Sequence, residues 1–177
     1  MKSIGNGYVH IYTGNGKGKT TAALGLSMRA AGHGLKTRIV QFMKGQHYGE
    51  LYSVKMTGGL VTIEQFGHPT FCKFNAKPDP EDVKRARLAL ARIHELMQTQ
   101  ACDILVADEM VTASLFKLIS EDDVLDVIRG KPEGMELILT GRGATGRMME
   151  AADLVTEMKE IKHYYAKGIG SREGIES

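Results

Sequence analysis

The sequence predicts an α/β fold in which a mostly parallel β-sheet is flanked by helices on both faces. The first observation behind this prediction is the order of strand, glycine-rich loop, apolar helix and strand over residues 8–42, because such a βαβ unit joins parallel strands. The second is that short apolar runs keep alternating with helix-like segments along the chain. With 177 residues, the chain is predicted to form one domain, residues 1–177, which can bury a sheet between two helical layers.

The individual elements follow from hydrophobic pattern and from residues typical of helix ends. Strands are predicted over residues 8–13, 36–42, 60–66, 103–108, 135–140 and 154–159. Helices are predicted over residues 22–31, 80–97, 110–118, 121–128 and 144–152. Asp79 is predicted to cap the longest helix, and Pro80 to occupy its first position.

The loop after the first strand has the composition of a phosphate-binding loop. Its sequence, Thr13-Gly-Asn-Gly-Lys-Gly-Lys-Thr-Thr21, has threonine where the general pattern has its first glycine. The glycines allow backbone N–H groups to surround an anion, the helix start adds its positive dipole end, and Lys19 adds a charge. The predicted nucleotide-binding residues are Gly14, Asn15, Gly16, Lys17, Gly18, Lys19, Thr20, Thr21 and, farther along the chain, Arg142.

A second group of candidates follows the apolar strand at residues 103–108. That strand ends in Asp108 and Glu109, and it should deliver both carboxylates to the sheet edge where the phosphate loop opens. Mg²⁺ or Mn²⁺ is predicted to bind Thr20, Asp108 and Glu109, whose oxygens suit these cations. Two alternatives stay open: Glu109 orients a water molecule for hydrolysis, or the carboxylates only cap the next helix.

Three further features leave their roles open. The polar segment at residues 44–50 is either a substrate loop or a solvated connection. Phe71 and Phe74 either close the edge of the domain or form an apolar face for a flat ligand. Arg142 contacts either a phosphate or a carboxylate of the sheet edge.

Net charge, cysteine content and the lengths of apolar runs indicate which classes of partner are not expected. The net charge is +2 without a dense Lys/Arg cluster, which gives little support to nucleic acid as a partner. The two cysteines, Cys72 and Cys102, form no metal-binding pattern and fit a reducing cytosol. No apolar run reaches the length of a membrane span and no signal segment is recognisable, so we expect a cytoplasmic protein without a membrane partner.

Several motifs together resemble the ATP:corrinoid adenosyltransferases of the cobalamin pathway. They are the phosphate loop with its initial threonine, Asp108-Glu109, residues 139–143 with 152–157, Phe42-Met-Lys-Gly45, and the ending at residues 168–176. The resemblance extends over essentially the whole chain and agrees with a P-loop fold of the RecA-like type. Lys73 stands where some relatives have tryptophan, and Phe74 follows it.

The resemblance implies transfer of the 5′-deoxyadenosyl group of ATP to the cobalt(I) of a corrinoid, either cob(I)alamin or cob(I)yrinic acid a,c-diamide, with release of triphosphate. It implies catalytic roles for Lys19, Glu109 and Phe71, the last pressing on the corrinoid to displace its lower axial ligand. It also implies an inverted nucleotide that exposes the 5′ carbon, an electron donor such as a reduced flavoprotein, and a homodimer.

Two other functions share parts of this pattern. A nucleoside-triphosphate hydrolase or small-molecule kinase also has a phosphate loop and an acidic strand end, but it releases a nucleoside diphosphate. A corrinoid-delivery protein that uses ATP as a switch would change its corrinoid affinity with nucleotide and form no carbon–cobalt bond.

Overall fold

The computed structural model describes residues 4–68 and 77–177. The strands are β1 (Val9–Thr13), β2 (Thr37–Gln41), β3 (Val61–Gln65), β4 (Ile104–Asp108), β5 (Glu136–Thr140) and β6 (Leu154–Glu157). The helices are α1 (Lys19–Ala31), α2 (Glu50–Ser53), α3 (Pro80–Gln98), α4 (Met110–Leu115), α5 (Glu121–Arg129) and α6 (Gly146–Ala151). Short 3-10 helices span Val54–Thr57 and Tyr164–Lys167.

The six strands form one sheet in the order β3-β2-β4-β5-β1-β6, and every neighbouring pair is parallel. All six carboxyl ends therefore lie along the same edge. β5 separates the strand that leads into the phosphate loop from the strand that ends in Asp108. The predicted α/β class is confirmed, and this arrangement places both predicted groups of site residues at one edge.

Helices cover both faces of the sheet. Along β4, Leu105 and Ala107 pack into a core that also contains buried residues of α3 and α5. Ile104 and Val106 point to the opposite face and pack with residues of α1. This alternation is the normal geometry of a strand buried on both sides, and it confirms the predicted layers.

Local interactions fix the helix starts. The Asp79 side chain accepts a hydrogen bond from the Glu81 N–H at 2.8 Å, and Pro80 is the first residue of α3, as predicted. Ser120 and Asp123 form a reciprocal capping box at the start of α5. In residues 4–68 and 77–177, no helix is both long and apolar enough to cross a membrane.

Some boundaries differ from those predicted. α1 begins at Lys19 rather than at residue 22, because the polar first turn of the helix is hidden from an apolar pattern. α4 ends at Leu115 rather than 118, since Lys117 has a left-handed backbone with φ of 59°. β6 ends at Glu157 rather than 159, and the short α2 was not predicted at all.

Candidate active site

The phosphate loop packs against the chain that follows β6. The Gly16 N–H donates to the Met158 carbonyl at 2.7 Å. A Cβ atom at position 14 would lie 2.4 Å from that same carbonyl oxygen, and Gly14 has a φ of 95°. Glycine at position 14 is therefore required by both backbone conformation and space.

Lys19 is the buried cation of this loop. Its side chain folds back so that Nζ donates to the Gly16 carbonyl at 2.8 Å, and the residue is only 7% exposed. Burial lowers the pKa of Lys19, and the nearby Glu109 carboxylate opposes that effect. A partly desolvated ammonium at a loop of backbone N–H groups is well suited to hold a phosphate.

The Asp108 carboxylate is the centre of a buried polar cluster. Its Oδ1 accepts hydrogen bonds from the hydroxyls of Thr20 at 2.8 Å and Thr140 at 2.7 Å. Its Oδ2 accepts from Lys44 Nζ at 2.8 Å and Gln41 Nε2 at 3.1 Å. Asp108 is completely buried, so the cluster joins the ends of β2, β4 and β5 to the first turn of α1.

Lys44, Gln41 and Thr140 were not among the predicted site residues. Lys44 lies in the segment 44–50, for which the sequence left two readings open. Lys44, Tyr48, Gly49 and Glu50 line the same cavity as the phosphate loop, which supports a ligand loop rather than a solvated connection. Burial by itself lowers the pKa of Lys44, but Asp108, aided by Glu109 and Glu50, outweighs it, and the pKa is raised.

Glu109 has an unusual backbone conformation for its residue type. Its φ of 60° is left-handed, a region that a side chain other than glycine enters at an energetic cost. The side chain caps no backbone N–H of α4 and instead accepts from the Thr112 hydroxyl at 2.5 Å. Glu109 thus occupies the N-cap position of α4 without its side chain acting as a cap, and the residue lines the cavity.

Arg142 and Lys17 border the cavity from its outer side. Arg142 is exposed and forms no side-chain ion pair within the described part of the chain, so the pairing with a sheet-edge carboxylate is not observed. The Lys17 ammonium is 2.7 Å from Glu176 Oε1 and donates to the Ile175 carbonyl at 3.0 Å. The chain terminus thereby forms one wall of the site, a contact that the sequence did not predict.

The cavity bounded by these residues has a volume of about 620 Å³, within the usual range for a small-molecule site. All the predicted nucleotide-binding residues line it except Gly14. Glu109 lines it as well, whereas Asp108 is buried behind Thr20 and Lys44. Phe71, like its neighbour Phe74, lies outside the described residues.

The predicted metal ligands fit a hard divalent cation in their chemistry. Thr20 and Asp108 present oxygen atoms at the start of α1 and the end of β4, and a cationic group, the Lys44 ammonium, already lies against both at 3.2 and 2.8 Å. Oxygen ligands of this kind are those that Mg²⁺ prefers. In the described part of the chain, no group of three or more His, Cys, Asp or Glu side chains forms a metal site by itself.

Comparison with known proteins identifies the family. Residues 5–177 match the family model described as "ATP:corrinoid adenosyltransferase BtuR/CobO/CobP". The chain belongs to this family. Membership makes it a transferase whose substrates are ATP and a corrinoid, and it confirms the resemblance seen in the sequence motifs.

Individual relatives agree with this assignment. The corrinoid adenosyltransferase of Pseudomonas aeruginosa is 33% identical over 171 residues, which cover 96% of this chain and 83% of that protein. The corrinoid adenosyltransferase of Escherichia coli strain K12 is 30% identical over 171 residues, 96% of this chain and 85% of that protein. Among solved structures, the KaiC-like protein PH0186 from Pyrococcus horikoshii OT3 matches with a TM-score of 0.59 at 18% identity. The match covers 89% of this chain and 74% of that protein, and this similarity supports the P-loop fold but no shared function.

Proposed function

We propose that this adenosyltransferase joins the 5′ carbon of ATP to the cobalt of a reduced corrinoid at the cavity beside the phosphate loop. Cobalt(I) supplies the electron pair of the new cobalt–carbon bond, the bond from the 5′ carbon to its oxygen breaks, and triphosphate leaves with the electron pair of that broken bond. The observation that carries the proposal is the buried Lys19 ammonium in a glycine loop that opens on this cavity. Such a site neutralises a departing polyphosphate.

The described residues supply positioning and charge rather than a nucleophile. Cys102 is buried in the hydrophobic core, and burial raises the pKa of its thiol to about 11. His163, the histidine that borders the described cavity, accepts a hydrogen bond from the Tyr165 N–H through Nδ1. The site therefore suits a reaction in which a substrate, cobalt(I), is the attacking group.

Lys19, Arg142 and the loop amides are assigned to the triphosphate. Thr20, Asp108 and Glu109 would hold Mg²⁺ or Mn²⁺, which supplies positive charge against the departing triphosphate when bound. Glu109→Gln should then raise the Mg²⁺ concentration required for adenosyl transfer and slow the reaction. If that variant instead abolishes an efficient, corrinoid-independent ATP hydrolysis of the unmodified protein, the hydrolase function replaces the proposed one.

Phe71 is assigned to the corrinoid. The family resemblance supports this role, in which an aromatic ring displaces the lower axial ligand and makes cobalt(II) easier to reduce. Phe71→Ala should reduce activity steeply when the assay starts from cobalt(II) with a biological reductant, and less when it starts from cobalt(I). Phe74→Ala is the matched variant for the neighbouring ring. Equal losses from both cobalt states in Phe71→Ala would instead assign Phe71 to packing or general binding.

The partners and location remain part of the proposal. A reduced flavoprotein would supply the electron, and the enzyme would act in the cytoplasm as a homodimer without nucleic acid or membrane. Among residues 4–68 and 77–177, the edge strand β6 pairs only with β1, and all four of its residues are exposed, which supports a surface available to a second copy. Sedimentation equilibrium of the unmodified chain tests the dimer, and a monomer at assay concentrations contradicts it.

One experiment separates the three functions. The protein is incubated without oxygen with ATP, Mg²⁺ and chemically reduced corrinoid, the absorbance spectrum is followed, and the phosphate products are separated by chromatography. The proposal requires the spectrum of an alkylcobalt product together with intact triphosphate. ADP and phosphate formed without corrinoid would establish a hydrolase, and nucleotide-dependent corrinoid binding without a carbon–cobalt bond would establish a delivery protein.

A further inference from the structure

The Lys44 ammonium lies where two predicted metal ligands meet. Its Nζ is 2.8 Å from Asp108 Oδ2 and 3.2 Å from Thr20 Oγ1. Glu50 Oε1 is farther away, at 3.9 Å. A monovalent cation belonging to the protein itself thus lies against the same oxygen-bearing side chains that the proposed function assigns to a divalent cation.

The chain holds Lys44 in this place by a tightly packed turn. Met43, directly before it, has a left-handed backbone with φ of 59°, and the Lys44 N–H bonds to the Phe42 carbonyl at 2.7 Å. The Lys44 carbonyl accepts from the Gly67 N–H at 2.7 Å. A Cβ atom on Gly67 would lie 2.2 Å from the Met43 carbonyl carbon. The end of β3 therefore fixes the turn that aims Lys44 back over the sheet edge.

Asp108 requires the charge that Lys44 brings. Of the four groups that donate to its carboxylate, two are hydroxyls and one is an amide, and Lys44 supplies the single positive charge among them. Lys19, the buried lysine of the phosphate loop, is bonded to a loop carbonyl instead. A completely buried carboxylate is costly without a countercharge, so the pair with Lys44 compensates the charge of Asp108.

We infer that Lys44 is a resident counter-ion of Asp108 that competes with the divalent cation and makes metal binding depend on nucleotide. Mg²⁺ alone must displace an ammonium from Asp108 and leave that ammonium beside it. When a nucleoside triphosphate binds together with Mg²⁺, its phosphates can pair with the displaced Lys44 ammonium. This pairing is within reach because Lys44 lines the same cavity as the phosphate loop. Lys44 is thus a positioning residue, which acts through Asp108. The inference rests on the proposed function for the identity of the metal ligands.

The test measures binding of Mn²⁺, as a spectroscopic probe for Mg²⁺, by electron paramagnetic resonance without nucleotide and without corrinoid. The variants are Lys44→Met, which removes the charge, and Lys44→Gln, which removes the charge but retains an N–H donor for Asp108. The control is Lys36→Met, an exposed lysine that precedes β2 at the opposite edge of the sheet. Thermal unfolding in EDTA and in Mg²⁺ is recorded for the same proteins.

We expect the unmodified protein and Lys36→Met to bind Mn²⁺ weakly until a non-hydrolysable ATP analogue is added. Both Lys44 variants should bind it at least about tenfold more tightly without nucleotide, since a unit positive charge next to the carboxylate has been removed. Their unfolding midpoints should be lower in EDTA and should rise with Mg²⁺, as expected for a ligand that binds only the folded state. Lys44→Gln keeps the test decisive if Lys44→Met does not fold.

The inference is overturned if both Lys44 variants bind Mn²⁺ no more tightly than Lys36→Met, or if the unmodified protein binds it tightly without nucleotide. These outcomes are independent of the adenosyl-transfer assay. A protein that forms the alkylcobalt product but shows no competition retains the proposed function and loses this inference. A protein that shows the competition but forms no product retains the inference about the site and loses the proposed reaction.

Discussion

Two lysine–carboxylate pairs, each with its lysine in the wall of the same cavity, have nearly equal distances and different surroundings. Lys44 Nζ lies 2.8 Å from Asp108, and Lys17 Nζ lies 2.7 Å from Glu176. In the first pair, 17% of the lysine side chain and 1% of the carboxylate side chain are exposed. In the second, the exposed fractions are 39% and 17%.

The distance between two charged groups therefore does not by itself determine how much an ion pair contributes to stability. Removing one member of a buried pair leaves the other charge without water or partner, which is strongly destabilising. An exposed pair exchanges one partner for water and is screened by salt. We therefore expect the inner pair to determine stability and cation binding, and the outer pair to adjust access to the phosphate loop.

The largest effect is expected from Asp108→Ala. This change leaves Lys44 half-buried without its carboxylate and removes the acceptor of two hydroxyls and one amide. The free energy of unfolding should fall by about 3–5 kcal/mol, measured by urea denaturation. Asp126→Ala is the control, because Asp126 pairs with Arg129 on the surface. Equal stability of the two variants would contradict the contrast between buried and exposed pairs.

The next effect concerns ATP affinity. Lys19→Ala should remove the charge-assisted contact proposed between Lys19 and phosphate, and such a contact is worth about 1.5–3 kcal/mol, or roughly tenfold or more in affinity. Isothermal titration calorimetry should show this loss with ATP and Mg²⁺. Lys17→Ala, which removes the more exposed lysine of the same loop, should lose less. If the two variants lose affinity equally, the burial of a lysine does not determine its contribution to ATP affinity.

The pH dependence should separate these lysines as well. Burial lowers the pKa of Lys19, whereas the hydrogen bond with Glu176 raises the pKa of Lys17. As Lys19 loses its proton, ATP affinity should therefore fall, and this fall should begin at a lower pH than the ordinary pKa of an exposed lysine would give. Lys19→Ala should lack that fall. The folded protein holds the Lys19 proton less tightly than the unfolded chain does. The contribution of Lys19 to the free energy of unfolding therefore rises with pH between the lowered pKa and the ordinary value of 10.5. An unchanged alkaline profile in Lys19→Ala would assign the fall to another group.

The smallest effect is expected from Glu176→Gln. The substitution removes a negative charge near the phosphate loop and the ion pair with Lys17, which keeps its hydrogen bond to the Ile175 carbonyl, so ATP affinity should rise slightly, and most clearly at low ionic strength. The urea midpoint should not change measurably. Glu173→Gln, an exposed change in the same terminal segment, should leave both quantities unaltered. A large destabilisation by Glu176→Gln would show that the terminal segment is part of the folding core.

The features that depend on neighbouring residues could be predicted before the fold was known. The alternation of strands and helices follows from apolar spacing, the cap at Asp79 follows from local hydrogen bonding, and the loop ending in Lys19-Thr20 follows from glycine spacing. Parallel connection of the strands then brings Asp108 to the edge where that loop opens. These features were predicted because each depends on chain segments of a few to about thirty residues.

Which distant side chains meet at this edge depends on the folded arrangement of the strands and loops. Lys44 and Asp108 are 64 positions apart, and Lys17 and Glu176 are 159 apart. Neither pair leaves a periodic signal: the pairing of β2 with β4 and the backbone turn at Met43 bring Lys44 to Asp108, and the segment after β6 brings Glu176 to Lys17. Burial is likewise a property of the assembled layers. The sequence shows that all four of these residues are charged, but only the fold shows that Lys44 and Asp108 form the more buried pair.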